Sequence, residues 1–441
     1  MFSPIDLVRG LFGVAVMIGI AYAFSTNRRA VNWRLVGVGI GLQLVFALLV
    51  LYTGPGEALF RAIGNGFDTV LSFTYEGSEF IFGRLGLPSG DERAFGNIFA
   101  FQVLPTIVFF ASLMAALYHL GLVQPVVKGL SRFMAWALRI SGAESLATAA
   151  NVFIGQTEAP LVVEPYVKSM TRSELMTLMV GGMSTIAGGV LAAYISFLGG
   201  GDPAARAEFA GHLLSASIMS APAAIVMAKI LVPETEESPT FGDVELDIET
   251  GSSNLLDAAA DGASEGLRLA LNVGAMLLAF IALIAMINFG LGLVGNPSFF
   301  GTELYDLNAW IAGVTDGTFE ALSLEAVFGF VFAPLAWAMG VEAGDILQFG
   351  TLLGQKIAVN EFVAFASLGE MQGVMSERSI IIGTYALCGF ANFSSIAIQL
   401  GGIGGIAPER RGEIAALGLR AVVGGALASW TTASIAGILV A

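Results

Sequence analysis

The sequence predicts an all-α polytopic membrane protein with about eight transmembrane helices. Of its 441 residues, 56% are hydrophobic and only 12% are charged, whereas soluble domains carry about 25% charged residues. Long apolar runs, each able to cross a bilayer core of about 30 Å, recur along the chain. Two further apolar stretches have polar residues near their centres, and such residues usually mark a site in a membrane protein.

Six apolar runs predict ordinary spans, because each is long enough to cross and nearly free of charge at its centre. Arg28 and Arg29 follow the first run, and Arg410 and Arg411 precede the last. Since Lys and Arg concentrate in cytoplasmic loops, these loops are expected inside and both termini outside. The six runs are residues 7–24, 36–52, 98–120, 213–232, 267–294 and 414–440.

Two other stretches predict interfacial helices. In residues 126–140, apolar residues recur at helical spacing, and Lys128, Arg132 and Arg139 fall on the opposite face. A basic amphipathic helix of this kind lies at the lipid headgroups. Residues 57–84 carry too many polar groups to span and are also predicted to be interfacial.

Two stretches with polar centres predict re-entrant hairpins. Residues 142–166 are apolar on both sides of a polar motif at 155–160. Each flank has about ten residues, which is too short to cross the membrane at 1.5 Å per residue. We therefore expect this stretch to enter and leave on one side. Residues 341–368 repeat the design around 354–362 and predict a second hairpin.

A broken span follows each hairpin. Glycine and polar residues interrupt 175–198 and 380–403, and an ordinary span comes after each. The basic loops place the first hairpin on the cytoplasmic side and the second outside. Two such opposed units form an inverted repeat, typical of secondary transporters that bind substrate between the repeats. The predicted division is 1–120 mainly scaffold, 121–233 first transport repeat, 234–265 acidic loop, 266–340 scaffold span and interfacial segment, and 341–441 second transport repeat.

The charge balance excludes several classes of protein. The formal net charge is −15, and much of the acidity lies in 234–265, which predicts a solvated loop. A nucleic-acid partner would require a basic surface instead. The single cysteine, Cys388, cannot form an internal disulfide. The sequence has no Gly-x-x-x-x-Gly-Lys-Ser/Thr motif, which argues against an ATP-driven pump.

Two carboxylates, Glu158 and Glu361, occur in the apolar surroundings of the hairpins. Such residues cost about 2.5–3.5 kcal/mol at a bilayer centre, so they usually face a cavity and serve a site. The alternative is internal pairing with a lysine such as Lys356. Function is favoured because other hydrogen-bonding residues stand nearby, and a substrate rich in hydroxyls and ring heteroatoms would satisfy them: Gln156, Thr157, Asn360, Asn392, Ser394 and Ser395.

Neutral oxygen groups near the interruptions predict a cation site. Asn151 lies one turn before the first polar motif, and Thr185 lies in the first broken span. With carbonyls freed by helix breaks, they can hold sodium, because hard cations prefer oxygen ligands. Taken alone, either residue favours helix packing over a cation site. Phe390, near Asn392, offers an aromatic face to a ring.

Three motifs resemble those of the concentrative nucleoside transporter family, and the resemblance extends over nearly the whole chain. Residues 155–161, Gly-Gln-Thr-Glu-Ala-Pro-Leu, are similar to its first-hairpin motif. The second-hairpin signature is matched by Gly354-Gln355-Lys356 and by Asn360-Glu361-Phe362-Val363-Ala364-Phe365. Residues 388–396 resemble its seventh helix. The resemblance implies the bacterial form with eight spans, two hairpins and interfacial helices.

The resemblance also implies roles for individual residues. It implies sodium-driven nucleoside import across the cytoplasmic (inner) membrane by alternating access, without enzymatic activity, in homotrimers held together by a scaffold part. Gln156, Thr157 and Glu158 would contact the nucleobase, with Val190 packed against it. Glu361, Asn392 and Ser395 would hold the ribose hydroxyls, with Phe390 beside the nucleoside. The sodium ligands would be the side chains of Asn151 and Thr185 and the carbonyls of Ile154 and Ile186.

Other functions remain open at the level of sequence. Proton coupling on the same fold is one, because Glu158 or Glu361 can titrate. An intramembrane enzyme using the two carboxylates is another, although the sequence shows no nucleophile–histidine pair. A passive channel is the third.

Overall fold

The part of the chain that the structure describes is built from α-helices. The computed structural model describes residues 4–88, 91–96, 98–242, 252–299, 302–303 and 305–440. Within these ranges, seven helical segments are long and apolar enough to cross a membrane. They overlap the six ordinary spans and the first broken span, which confirms the all-α membrane class. The second broken span, predicted over 380–403, corresponds to two shorter helices at residues 377–387 and 393–406, and its crossing of the membrane stays a prediction.

The N-terminal region contains two spans, a long polar helix and a third span. Thr53 caps the polar helix, α3, by accepting a hydrogen bond from the amide of Gly56. With 29 residues, α3 is a continuous helix, yet it is not among the segments apolar enough to span. Its position on the membrane surface stays a prediction. The helices are α1 (Pro4–Ala23), α2 (Trp33–Tyr52), α3 (Gly54–Phe82), α4 (Phe99–Gln102) and α5 (Leu104–His119).

The next region begins with the predicted amphipathic helix and contains the first polar motif. Capping boxes start two of its helices: Ser141 with Glu144, and Thr171 with Glu174. Each box satisfies backbone donors that a helix start leaves unpaired. The helices are α6 (Gln124–Leu138), α7 (Gly142–Asn151), α8 (Ala159–Val162), α9 (Glu164–Val167), α10 (Arg172–Ser184), α11 (Gly188–Gly199) and α12 (Pro203–Leu231).

The prediction of a solvated loop over 234–265 is wrong at its C-terminal end. The helix α13 (Leu255–Gly295) begins well inside that range, because Asn254 caps it by accepting bonds from the amides of Leu256 and Asp257. Residues 233–242 form no helix and are largely exposed, but hydrogen bonds attach them to helix ends. The amide of Gly142 donates to the carbonyl of Thr240, at 3.1 Å. Residues 243–251 lie outside the described ranges.

A buried ion cluster holds this segment in place. Lys229 forms ion pairs with Glu144 and Glu234, and Glu174 accepts hydrogen bonds from Ser238 and Thr240. A buried lysine is stable only when its charge is paired and hydrogen-bonded. Residues 233–242 are therefore fixed across the start of α7 and α10.

The C-terminal half repeats the order of helix types found in the N-terminal half. A two-residue antiparallel pair, β1 (Ser298–Phe299) and β2 (Thr302–Glu303), and two helices come first. Two adjacent packed helices, a broken helix and a long helix follow, as in the region from α7 to α12. That the packed pairs are re-entrant hairpins stays a prediction. The helices are α14 (Leu307–Val314), α15 (Leu324–Ala338), α16 (Ile346–Ala358), α17 (Glu361–Glu370), α18 (Glu377–Leu387), α19 (Phe393–Ile406) and α20 (Arg411–Leu439).

The core lies between the two repeated units. The most apolar window of α20 is 89% buried and that of α12 is 83% buried, whereas that of α13 is only 6% buried. Helices α12 and α20 therefore form the centre, and α13 presents apolar side chains outward. Leu278 and Phe289 of α13 are 76% and 72% exposed. Such a surface fits lipid or another protein chain.

Candidate functional site

The two broken helices meet at their interruptions. The break between α10 and α11 covers residues 185–187, and the break between α18 and α19 covers 388–392. Gly389 has a φ of +101°, and a Cβ at this position would lie 2.6 Å from the carbonyl carbon of Ser184. Glycine is required here both for its backbone conformation and for this close approach. Polar residues of both repeats are thereby brought to one place.

A chain of hydrogen bonds connects predicted site residues from both halves. The side-chain amide nitrogen of Gln156, Nε2, donates to Oγ of Ser395, at 3.0 Å. The backbone amide of Ser395 donates to Oδ1 of Asn392, at 2.9 Å, and Nδ2 of Asn392 donates to Oε2 of Glu361, at 2.8 Å. All four residues are buried. The structure therefore brings Gln156 into contact with a residue more than two hundred positions away in the sequence, Ser395.

Helix capping fixes the direction of two asparagines. Asn392 is the N-cap of α19, and Asn360 is the N-cap of α17, where it accepts a bond from the amide of Val363. Because the oxygen of Asn392 is used in the cap, its NH₂ group is directed at Glu361. Ser394 donates to the same oxygen of Asn392, at 2.6 Å.

Lys356 is fully buried but does not pair with a carboxylate among the described residues. Its Nζ donates to the carbonyls of Ala386 and Cys388 and to Oγ of Ser429, at 2.9, 3.0 and 2.7 Å. These carbonyls lie where α18 ends, and a cation there complements the helix dipole. Lys356 thus stabilises the helix break through these hydrogen bonds and forms no ion pair with Glu361.

Two residues that the sequence did not single out belong to the site. The Tyr194 hydroxyl donates to Oε1 of Glu361, at 3.1 Å, and its ring stacks on Phe365. Nε2 of Gln399 donates to Oε1 of Gln156, at 3.2 Å, and to the carbonyl of Met179, at 2.9 Å. Tyr194 lies four residues after Val190 on α11, and Gln399 lies four after Ser395 on α19. This i, i+4 spacing is the signal that could have identified them.

Thr157 and Glu158 stand apart from the hydrogen-bonded chain. Both are exposed. The Glu158 carboxylate folds back over Gly155, where an added Cβ would collide with it, and it interacts with the Thr157 hydroxyl. Its electrostatic neighbours include Tyr118 of α5 and Glu265 of α13. Glu158 therefore faces helices outside the two repeats.

The two apolar members of the predicted site flank these polar groups. Val190 is 2% exposed and shares a face of α11 with Tyr194. Phe390 is half-buried, in the break that also contains Gly389.

The geometry around Asn151 fits a cation. Asn151 is 1% exposed, and its Oδ1 has no hydrogen-bond partner among the described residues. A buried unpaired oxygen costs about 1–3 kcal/mol unless a ligand satisfies it. Thr185 is also buried, and its hydroxyl donates to the carbonyl of Gly181, at 3.0 Å, which leaves its oxygen lone pairs available.

Backbone oxygens lie in the same region. The amide of Gly188 donates to the carbonyl of Phe153, at 3.1 Å, which ties the loop after α7 to the break before α11. The carbonyl of Val152 accepts from Ser217, at 3.1 Å. The described hydrogen bonds do not use the carbonyls of Ile154 and Ile186. The predicted cation ligands therefore belong to two segments that are in contact.

Three family models match the chain. They are "Na+ dependent nucleoside transporter N-terminus" over residues 12–85, "Nucleoside recognition" over 100–201 and "Na+ dependent nucleoside transporter C-terminus" over 212–437. The chain belongs to the concentrative nucleoside transporter family. Since its relatives are transporters and not enzymes, the intramembrane-enzyme alternative is set aside.

Individual relatives support the assignment of the chain to this family. An uncharacterized transporter of Bacillus subtilis, YutK, is 44% identical over 436 residues, covering 99% of this transporter and 100% of YutK. Sodium/nucleoside cotransporter 1 of Mus musculus is 39% identical, covering 97% of this transporter and 63% of the longer mouse chain. The solved structure of CNTnw in an inward-facing substrate-bound state has a TM-score of 0.85 at 39% identity, covering 99% of both chains. A CNTnw variant in an outward-facing state has a TM-score of 0.87 at 40% identity, with coverage of 99% and 98%.

Proposed function

We propose that this transporter imports nucleosides by sodium-driven symport. The observation that supports this most strongly is the buried hydrogen-bonded chain from Gln156 through Ser395 and Asn392 to Glu361, which lies where the two repeats meet. Secondary transporters bind substrate at such a boundary. Family membership supports the nucleoside as the substrate class.

Glu361 is suited to hold ribose hydroxyls. A carboxylate offers about four acceptor positions, and Tyr194 and Asn392 occupy one on each oxygen. The remaining positions can accept two neighbouring hydroxyl groups through charge-assisted bonds, which are about twice as strong as neutral ones. Ser395 adds a hydroxyl beside them. We assign this end of the site to the sugar.

The other end suits a nucleobase. Gln156, Thr157 and Glu158 offer both donors and acceptors, as the edge of a base requires. Thr157 and Glu158 are exposed and stand apart from the network, so a ligand can reach them. Val190 and Phe390 supply apolar and aromatic surface against which a base can pack.

Sodium is assigned to the side chains of Asn151 and Thr185 and the carbonyls of Ile154 and Ile186. The unpaired Oδ1 of Asn151 supports this assignment, because sodium would satisfy it. Ile154 precedes the base-contacting residues by two positions on the same loop. Sodium binding would order that loop and thereby favour nucleoside binding, which is the coupling that symport needs.

Alternating access and assembly follow from the position of the site. Glu158 and Val190 lie on elements that face α5 and α13, so one wall of the site belongs to the proposed scaffold. Movement of the repeats against that scaffold would expose the site first on one side and then on the other. The exposed apolar face of α13 suits the interface of a homotrimer. We place the transporter in the cytoplasmic membrane with both termini outside, in accord with its basic loops.

Uptake into proteoliposomes tests this function and separates it from the alternatives. With an inward sodium gradient, labelled uridine should accumulate above its outside concentration. A pH gradient in sodium-free buffer should drive no accumulation, whereas uptake under that condition would establish proton coupling. Equilibration without accumulation under either gradient would establish a passive channel instead.

A further inference from the structure

A cavity lies between α6 and α7, away from the proposed nucleoside site. It has a volume of about 250 Å³. Its walls include the cationic side chains of Lys128 and Arg132, the hydroxyls of Ser131 and Ser145, and Phe241 of the segment that crosses the start of α7. The two serine hydroxyls are 3.1 Å apart and buried. The cavity therefore combines two hydroxyl groups and two cations with apolar residues such as Ile140 and Leu146.

The two cations at this cavity have no acidic partner among the described residues. Three other basic groups on the same predicted side form ion pairs: Lys229 with Glu144, Arg410 with Glu413 and Lys168 with Glu409. Lys128 and Arg132 are exposed and lie one helical turn apart on α6. In a chain of net charge −15, two adjacent unpaired cations at a cavity indicate an anionic ligand.

The surroundings of the cavity indicate where that ligand comes from. On α6, Trp136 is 77% exposed and Phe133 is 48% exposed, and their rings lie 6.3 Å apart. Exposed aromatic rings beside Lys and Arg on an amphipathic helix are typical of the headgroup level of a membrane. The cavity therefore opens beside lipid headgroups.

We propose that the cavity binds the phosphate of an anionic phospholipid in the cytoplasmic leaflet. Lys128 and Arg132 would contact the phosphate oxygens, and Trp136 and Phe133 would lie among the upper acyl chains. Basic pockets on the cytoplasmic side of membrane proteins bind anionic headgroups in this way. The bound lipid would anchor the start of α7, the first arm of the proposed hairpin that carries Gln156. The proposal rests on the predicted orientation of the chain and not on its transport activity.

Lipid titration of the full-length transporter in detergent tests the proposal. Phosphatidylglycerol and phosphatidylcholine are compared as ligands, with native mass spectrometry counting the retained lipid. We expect phosphatidylglycerol to bind at least about tenfold more tightly, and K128Q/R132Q to remove most of that preference, since each cation near an anionic surface contributes a several-fold factor. Arg139→Gln is the matched control, because Arg139 is an exposed cation immediately after the same helix that does not line the cavity.

Three results would overturn the assignment. Equal binding of the two lipids would show that the cavity does not select an anionic headgroup. A loss of preference in Arg139→Gln as large as in the double variant would indicate general surface attraction. Displacement of phosphatidylglycerol by inorganic phosphate at equal concentration would identify a site for free phosphate. The thermal midpoint and the size-exclusion profile of each variant verify folding without reference to nucleoside binding, so failure of the lipid proposal is separate from failure of the transport proposal.

Discussion

Asn392 joins the second broken helix to the neighbouring helix pair through one side chain. Its Oδ1 caps α19, and its Nδ2 donates a 2.8 Å hydrogen bond to Oε2 of Glu361. Both ends of the amide are therefore committed, and the carboxylate is held at the place where the two repeats meet. A helix-capping residue thus also orients the carboxylate that we propose binds the nucleoside.

Replacing Asn392 by alanine should weaken nucleoside binding more than it weakens the fold. Loss of the cap costs about 0.5–2 kcal/mol of stability, while loss of the amide donor also releases Glu361 from its position. Thermal unfolding in detergent and uridine titration measure the two effects. Ser323→Ala, which removes the cap of α15 away from the site, should lower stability similarly and leave uridine affinity unchanged. Equal uridine affinity in both variants would contradict this role of Asn392.

Glu361→Gln should reduce uridine affinity by about ten- to a hundredfold, because hydrogen bonds to a charged group contribute about 1.5–3 kcal/mol. The substitution keeps the shape of the side chain and removes its charge. Isothermal titration calorimetry in sodium buffer measures the change. Glu413→Gln is the control, since Glu413 pairs with Arg410 away from the site. A Glu361→Gln variant that binds uridine normally would remove the carboxylate from the sugar site.

Tyr194→Phe should weaken uridine binding by about tenfold or more, because Glu361 loses one charge-assisted hydrogen bond, a type that contributes about 1.5–3 kcal/mol. The aromatic ring and its stacking on Phe365 remain, so the thermal midpoint should change little. The control is Tyr305→Phe, at an exposed tyrosine. An unchanged uridine affinity would show that Glu361 does not depend on Tyr194.

Asn151→Ala should raise the sodium concentration required for half-maximal uptake by several-fold, because it removes one oxygen from the proposed cation site. Uptake at saturating sodium should fall less. Sodium dependence of uridine uptake in proteoliposomes gives both quantities, with Asn65→Ala on the exposed surface of α3 as the control. Normal sodium dependence in Asn151→Ala would rule out this cation assignment.

Lys356→Met should lower the thermal midpoint strongly, because it leaves the buried carbonyls of Ala386 and Cys388 without their donor, at about 1–3 kcal/mol for each. If Lys356 stabilised the fold by pairing with Glu361 instead, Glu361→Gln would already remove that ion pair. The double variant would then have the same thermal midpoint as the Glu361→Gln variant. We expect the two effects on stability to add. Lys168→Met, at an exposed lysine, should have little effect.

The sequence predicts the helix ends and helix breaks around this site well, because these features depend on residues close together in the chain. Polar motifs between short apolar arms predict where α7 and α16 end, and glycine and polar residues predict where the broken spans are interrupted. The amphipathic spacing of 126–140 corresponds to α6. Each of these features depends on neighbours within a few residues, which pattern and length reveal.

Local sequence patterns do not predict side-chain contacts between residues that are far apart in the chain. The contact between Tyr194 and Glu361 joins residues 167 positions apart, and Tyr194 looks like an ordinary aromatic residue in an apolar helix. The sequence suggests that Lys356 forms an ion pair with a nearby carboxylate, whereas in the structure it donates hydrogen bonds to carbonyls at the end of α18. The helix start at Leu255 was obscured by surrounding acidic residues, although Asn254 and Asp257 suit the first turn of a helix.

Calorimetric titration of the purified transporter with uridine, in sodium chloride and in choline chloride, tests the central claim most directly. The account predicts binding in sodium that weakens by about tenfold or more in choline, within the usual range of coupling between two sites. Asn151→Ala should reduce the difference between the two salts. Equal affinity in sodium and choline would contradict sodium coupling, and absence of uridine binding in both would contradict the nucleoside site itself.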